Sequence, residues 1–328
     1  MAPQLSEFTP AWFLRGPHAQ TIWGRIVRPR RAAALRREVV ETPDGDELVL
    51  DHLDGDVSLR FLLLHGLEGS SNSVYMQGLL AAIARRGFAA TAMNFRSCAL
   101  DARGRCLPNR RPRFYHSGET GDFDFVARRL ATTRLVAIGA SLGGNVLLKW
   151  LGENPSQQIV AAAAAFSVPF DLAAGARHIP RLYVARFLRT MKRKVIALLA
   201  RHPKMRDRVD LAATLRARNF VEFDEAATAP IHGFASADDY YAQSSSLSFL
   251  SRITTPTLII NAEDDPFLPR EALERARAAA SPAIEFVTTK CGGHTGFISG
   301  TLPWRCEYWA EERIVEWCTR NAGVPPAG

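Results

Sequence analysis

Short apolar runs alternate with longer stretches of helical periodicity along most of the chain, a pattern that predicts an α/β fold with a mostly parallel sheet covered by helices on both faces. The strand candidates are Glu38–Glu41, Glu47–Leu53, Arg60–Leu64, Ala89–Met93, Leu135–Ile138, Ile159–Phe166, Thr257–Asn261 and Ile284–Thr288. Several, such as Phe61-Leu62-Leu63-Leu64, are apolar at every position, as a strand buried on both faces must be. Helices are expected at Val74–Arg86, Gly121–Leu130, Leu142–Leu151, Arg270–Ala280 and Trp304–Arg320. Trp304, Trp309 and Trp317, at helical spacing in the last of these, are expected in the core.

Two stretches break the alternation. From Pro169 to about Arg252 there are helical patterns such as Tyr183–Ala200 but no clear strand, and ordinary connections between sheet elements are much shorter. An inserted helical cap is therefore expected over 169–252, dividing a core of 41–168 and 253–321. Residues 1–40, with Pro10, Pro17 and Pro29 among Trp12, Phe13 and Trp23, predict an extended arm packed on the body.

Composition narrows the class. With 47% hydrophobic and 23% charged residues the 328-residue chain can bury a large core, so disorder and collagen-like structure are excluded. The longest apolar run, Ile159–Phe166, is far below the ~20 residues of a membrane span. Residues Met1–Thr9 lack the basic and apolar sections of a secretory leader, so a cytoplasmic location is expected. Five scattered cysteines without C-x-x-C spacing point to free thiols and to no metal site.

The net charge of +8 is concentrated in one place. Between Ala176 and Arg218 thirteen Lys or Arg face two acids, a net of +11, which leaves the rest of the chain at −3. No zinc-finger, RRM or KH motif accompanies that charge, so nucleic acid is not an expected partner. Around Tyr183–Ala200, apolar Leu182, Val184, Ala185, Leu188, Val195, Ile196, Leu198 and Leu199 interleave with Arg186, Arg189, Lys192, Arg193 and Lys194, which predicts an amphipathic helix with cationic edges. Such a helix is either a solvated cap face or a contact for the anionic inner face of a membrane.

The candidate chemistry begins at Gly139-Ala140-Ser141-Leu142-Gly143, which follows the apolar run Leu135–Ile138 and precedes a helical stretch. A strand, G-x-S-x-G and a helix form a sharp turn that exposes a serine hydroxyl above a sheet, with glycines where a Cβ would collide. The competing reading is a plain helix N-cap by Ser141. His65-Gly66-Leu67-Glu68-Gly69 ends another apolar run. In the hydrolase arrangement that loop offers an N–H, here Leu67, to pair with the Leu142 N–H around an oxyanion. His65 and Gly66 take a supporting role, with Gly139 and Gly143 at the turn itself. An acid to orient a histidine is found after Thr257–Asn261, where Asp264 and Asp265 are both available; the spacing Ala262-x-x-Asp265-x-x-x-Pro269 favours Asp265. The base candidate is His294 in the glycine-rich loop after Ile284–Thr288. Asn94-Phe95-Arg96 and His116-Ser117-Gly118-Glu119 either shape the pocket or hold loops. No phosphate-binding loop is present, and an aspartate nucleophile of dehalogenase type is disfavoured because Ser141 stands in its place.

His18-Ala19-Gln20-Thr21, His65-Gly66-Leu67-Glu68-Gly69-Ser70, Met93-Asn94-Phe95-Arg96-Ser97-Cys98, Phe114-Tyr115-His116-Ser117-Gly118-Glu119-Thr120 and Ala237-Asp238-Asp239-Tyr240-Tyr241 together resemble the YheT-like subfamily of α/β-hydrolases, over about Ala11 to Trp317. The resemblance implies a serine hydrolase with the triad Ser141, Asp265 and His294, acting on carboxylic esters of acyl or lipid type without a cofactor. Acyl transfer through the same acyl-enzyme and a non-catalytic membrane-surface protein are the competing functions.

Overall fold

The apolar runs form the interior of one sheet. The computed structural model describes residues 7–28 and 34–323. Its eight strands follow the order β1 (Arg36–Glu41), β2 (Glu47–Leu53), β4 (Phe88–Asn94), β3 (Asp56–Leu64), β5 (Leu135–Ala140), β6 (Val160–Phe166), β7 (Thr257–Ala262) and β8 (Ile284–Thr289). From β4 onward every pairing is parallel, while β1–β2 and β2–β4 are antiparallel. Phe61, Leu62, Leu63 and Leu64 of β3 are completely buried between β4 and β5.

Alternation along the parallel strands sends side chains into two separate layers. On one face Leu62, Leu64, Ala137 and Ile259 pack against α3 (Gly121–Leu130), α4 (Leu142–Glu153) and α11 (Arg270–Ala279). On the other, Phe61, Leu63, Val136 and Ile260 pack against α2 (Val74–Arg85) and α12 (Trp309–Asn321). Burying Phe61 and Leu63 alone is worth about 2 to 3 kcal/mol per side chain.

Between β6 and β7 the chain is helical: α5 (Leu172–His178), α6 (Arg181–Arg201), α7 (Leu211–Arg216), α8 (Phe220–Phe223), α9 (Ala229–His232) and α10 (Ala237–Ser244), with a π-helical turn at Asp224–Thr228. These helices have an apolar cluster of their own, which includes Val184, Leu188, Val195, Phe220 and Phe223. Among the described residues no helix is long and apolar enough to cross a membrane.

Three expectations are corrected. The N-terminal arm is not extended throughout, because Pro17–Val27 form helix α1. Pro17 opens that helix, where its fixed φ is helical and its missing N–H is not needed. Residues 1–6 and 29–33 of the arm, Pro29 included, lie outside the described residues. Second, the last helix starts at Trp309 rather than Trp304, since residues before it form the hairpin of β9 (Ile298–Leu302) and β10 (Arg305–Tyr308). Trp304 sits in the hairpin turn and is 75% exposed, not in the core, whereas Trp317 is buried. The hairpin is held by the arm, with Ala11 N–H and the Gln20 side chain both bonded to the Ile298 carbonyl. Third, not every cation of α6 is at a solvated edge: Lys194 turns inward onto Glu68, and Lys192 donates to the Leu215 and Ala217 carbonyls.

Candidate active site

Four loops at the carboxyl ends of β3, β5, β7 and β8 converge, the position at which sheets of this kind assemble their sites. After β5 the chain turns sharply into α4, and Ser141 at the apex has φ 52° and ψ −120°. That backbone costs about 1 to 3 kcal/mol in a non-glycine residue. Two close approaches fix the turn. A Cβ on Gly139 would lie 2.6 Å from Gly144 Cα, and one on Gly143 would lie 2.6 Å from the carbonyl oxygens of both Leu64 and His65. Ser141 N–H donates to Phe166 O at 2.9 Å. Ser141 itself makes no side-chain cap bond to α4, so its hydroxyl is not spent on the helix.

That hydroxyl lies 2.9 Å from His294 Nε2. On the far side of the ring, Nδ1 is 2.9 Å from Asp265 Oδ2 and 3.1 Å from Oδ1. A carboxylate only accepts, so Nδ1 carries the proton and Nε2 is left to accept from the serine. Asp265 is 4% exposed, and its Oδ1 also accepts the Phe267 N–H at 2.8 Å, which fixes its rotation. The Phe267 ring stacks on the imidazole at 4.1 Å between centroids.

Asp264, the other candidate acid, points elsewhere. Its Oδ1 accepts the Gly293 N–H at 2.9 Å and so braces the histidine loop from outside. Burial holds its carboxyl above the ordinary range. The same loop is gripped by α1: Thr21 Oγ1 accepts the His294 N–H at 2.9 Å and donates to Pro17 O at 2.7 Å. Gly293 has φ 58° and no room for a side chain, since a Cβ would meet Thr21 Oγ1 at 2.7 Å. Thr295 N–H donates to Ser167 Oγ at 2.9 Å. Thr21, Ser167, Phe267 and this role of Asp264 escape a reading of the sequence. Of these only Thr21 lies in a stretch marked by resemblance, and without a function attached.

After β3, Gly66 N–H donates to Tyr75 Oη, Glu68 N–H to Tyr115 Oη, Gly69 N–H to Gly66 O and Ser70 N–H to Ser73 Oγ. The Leu67 N–H has no acceptor among the described residues. Leu142 is the first residue of α4, where an N–H has no partner within the helix. Leu67 and Leu142 line a common pocket of about 30 Å³, with Tyr115, Met191, Lys194 and Asp224 around it. The two loops touch, since a Cβ on Gly66 would lie 3.0 Å from Ser141 Cβ.

His65 is fully buried and holds loops. Its Nδ1–H donates to Gly66 O at 2.8 Å and its Nε2 accepts the Phe95 N–H at 3.1 Å. Burial pushes its pKa down to about 4, so the ring is neutral. Asn94 and Arg96 are loop holders as well. Asn94 Oδ1 accepts the Ser71 N–H, and Arg96 is buried among Asp44, Asp46 and Asp122. His116 and Ser117 instead line the pocket.

Residues 60–301 match the family described as alpha/beta hydrolase fold. The protein YheT of Escherichia coli is 36% identical over 96% of this chain and 93% of its own. Mouse phospholipase ABHD3 is 30% identical over 90% of this chain and 74% of its own. Among solved structures, an esterase from Exiguobacterium antarcticum superposes with a TM-score of 0.55 at 15% identity, over 87% of this chain and 100% of that one. At that identity the superposition speaks for the fold alone.

Proposed function

The chain belongs to the α/β-hydrolase family, and from that premise we propose that it is a serine hydrolase that cleaves carboxylic esters through an acyl-enzyme on Ser141. YheT is named as an esterase and ABHD3 as a phospholipase, which supports an ester-hydrolysing enzyme with an acyl ester or lipid as substrate. The observation that carries the finer reading is the unbroken line of hydrogen bonds from Ser141 Oγ through His294 to Asp265.

In the proposed reaction His294 Nε2 takes the proton of Ser141 as Oγ attacks the ester carbonyl carbon. The carbonyl electron pair moves onto oxygen, where the N–H groups of Leu67 and Leu142 receive it; one such donor is worth about 2.7 to 4 kcal/mol. The tetrahedral species collapses, the alcohol leaves with the proton from His294, and the acyl group remains on Oγ. Water, deprotonated by the same nitrogen, then repeats the attack and releases the acid. Asp265 keeps Nδ1 protonated and compensates the imidazolium charge in both halves.

The outer face of α6, where Arg181, Arg186, Arg189 and Arg193 are exposed beside Leu182 and Ile196, supports peripheral contact with an anionic lipid surface.

The test of the hydrolase reading is labelling by a fluorophosphonate together with turnover of a p-nitrophenyl ester. Ser141→Ala is expected to abolish the label and to lower kcat by several orders of magnitude, leaving only binding and oxyanion contributions. Undiminished labelling of the variant refutes the assignment.

A further inference from the structure

We propose that Lys194, on α6, is a positioning residue for ester hydrolysis: through Glu68 it keeps the Leu67 N–H aimed at the oxyanion. The inference rests on the serine-hydrolase reading and adds to it a residue contributed by the helical segment between β6 and β7.

Gly66 to Gly69 form a tight turn closed by Gly69 N–H to Gly66 O at 3.0 Å. Leu67 and Glu68 are its central residues, and Glu68 has φ 53°. A left-handed glutamate is strained, and such a conformation persists only while its surroundings over-determine it. Tyr115 provides part of that restraint: its hydroxyl accepts the Glu68 N–H at 2.7 Å and donates to Glu68 Oε1 at 2.9 Å. Lys194 provides the rest, with Nζ 2.6 Å from the same Oε1 and 5.1 Å from the centre of the Tyr115 ring. The two charged side chains are only 10% and 9% exposed.

The ammonium makes this arrangement tenable. A buried carboxylate without a cation is costly, so it either takes up a proton or swings toward water. Either response loosens Glu68, and with it the peptide plane that joins Leu67 to Glu68. The Leu67 N–H, in the preceding peptide of the same Gly66–Gly69 turn, loses its support with it and points off its target. Because Leu67 N–H acts only on the negative oxygen of the tetrahedral species, misdirection of it affects kcat and leaves substrate binding nearly intact. The neighbours of Lys194 on α6 show that this is not a generic surface charge: Arg189 and Arg193 are exposed, whereas Lys194 is turned into the pocket wall beside Cys98 Sγ at 3.3 Å.

The experiment compares Lys194→Met, Lys194→Arg, Glu68→Gln and the Glu68→Gln/Lys194→Met double variant of the full chain. The readouts are kcat and KM on p-nitrophenyl butyrate and the rate of fluorophosphonate labelling. Loss of a whole oxyanion donor costs about 10²- to 10³-fold in kcat. Misaiming one is therefore expected to lower kcat of Lys194→Met by roughly 10- to 100-fold, with KM within about threefold and labelling slowed in parallel. Lys194→Arg is expected to recover most of the loss, and the double variant to be no worse than Lys194→Met. If Lys194→Met does not fold, Glu68→Gln carries the same expectation, since it removes the charge at unchanged shape. Wild-type kcat in a folded variant, or a change confined to KM or to thermal stability, overturns the role, as does Arg performing no better than Met. Full kcat in Lys194→Met alongside lost labelling in Ser141→Ala overturns the positioning role and leaves the hydrolase reading standing. Undiminished labelling of Ser141→Ala overturns both.

Discussion

Replacing Asp265 by Asn removes one charge and changes no shape, and the hydrogen bonds around it dictate the consequence. Oδ1 accepts the Phe267 N–H at 2.8 Å, so the amide oxygen of an asparagine must occupy that side. The amide nitrogen then takes the place of Oδ2, 2.9 Å from His294 Nδ1, and presents hydrogens to it. To accept them Nδ1 must lose its proton, and the proton moves to Nε2, which faces Ser141 Oγ at 2.9 Å. An imidazole protonated there cannot take the serine proton. In the Ser-His-Asp template the same replacement lowers kcat about 10⁴-fold, or about 5.5 kcal/mol. Asp265→Asn is expected to fall by a similar factor in p-nitrophenyl butyrate hydrolysis while its unfolding by urea stays close to that of the parent. Asp264→Ala removes the bond to Gly293 N–H, worth about 0.5 to 1.5 kcal/mol, and leaves the His294–Asp265 contact in place, so it is expected to cost no more than about tenfold. An Asp265→Asn enzyme within tenfold of the parent, or a larger loss in Asp264→Ala, would refute this reasoning.

Two further outcomes follow from packing and burial. Gly143→Ala forces a methyl to within 2.6 Å of two backbone oxygens that cannot yield independently, so it is expected to lose about 3 kcal/mol in urea unfolding and to label slowly with fluorophosphonate; wild-type values for both would show that the turn can relax. Burial first, and then the charges of Arg113 and Lys149, push the pKa of His116 down to about 3 from 6.5, so the neutral ring contributes stability that is complete above pH 6.5 and is lost as acid protonates the unfolded chain. In His116→Phe that loss is absent, and the difference between its unfolding free energy and the parent's is expected to change by about 1.4 kcal/mol per pH unit between pH 6 and pH 4; parallel stability curves would contradict a buried neutral ring.

The parallel strands are legible in the sequence because burial on both faces selects apolar residues at successive positions, as in Phe61 to Leu64. The helix expected from Trp304 takes in β10, and β9 goes unmarked, because the nine strand residues of the hairpin are mostly exposed or half-exposed and carry no alternation to mark a strand. Helix α1 was hidden by Pro17, which reads equally well as an extended arm or as a helix start. In the site, Ser141, Asp265 and His294 are each the consequence of a strand ending, a local event. The hydroxyl of Thr21 gains its meaning from a backbone 273 positions away, and no local pattern encodes that. Lys194 is the converse case: a dense run of positive charge suggests a solvated edge, and only packing reveals which cation is turned inward.

The grip of Thr21 on His294 and of Gln20 on Ile298 joins helix α1 to the loop after β8 and to the first residue of β9. During synthesis the serine turn and the loop after β3 emerge long before the histidine, and Thr21 of α1 waits for a partner 273 positions further on. A nascent polypeptide that has not yet reached residue 294 therefore carries Ser141 without its hydrogen-bonding partner. It also means that the stretch 60–301, which carries the family match, does not hold the whole support of His294, because one brace of that residue lies outside it at Thr21.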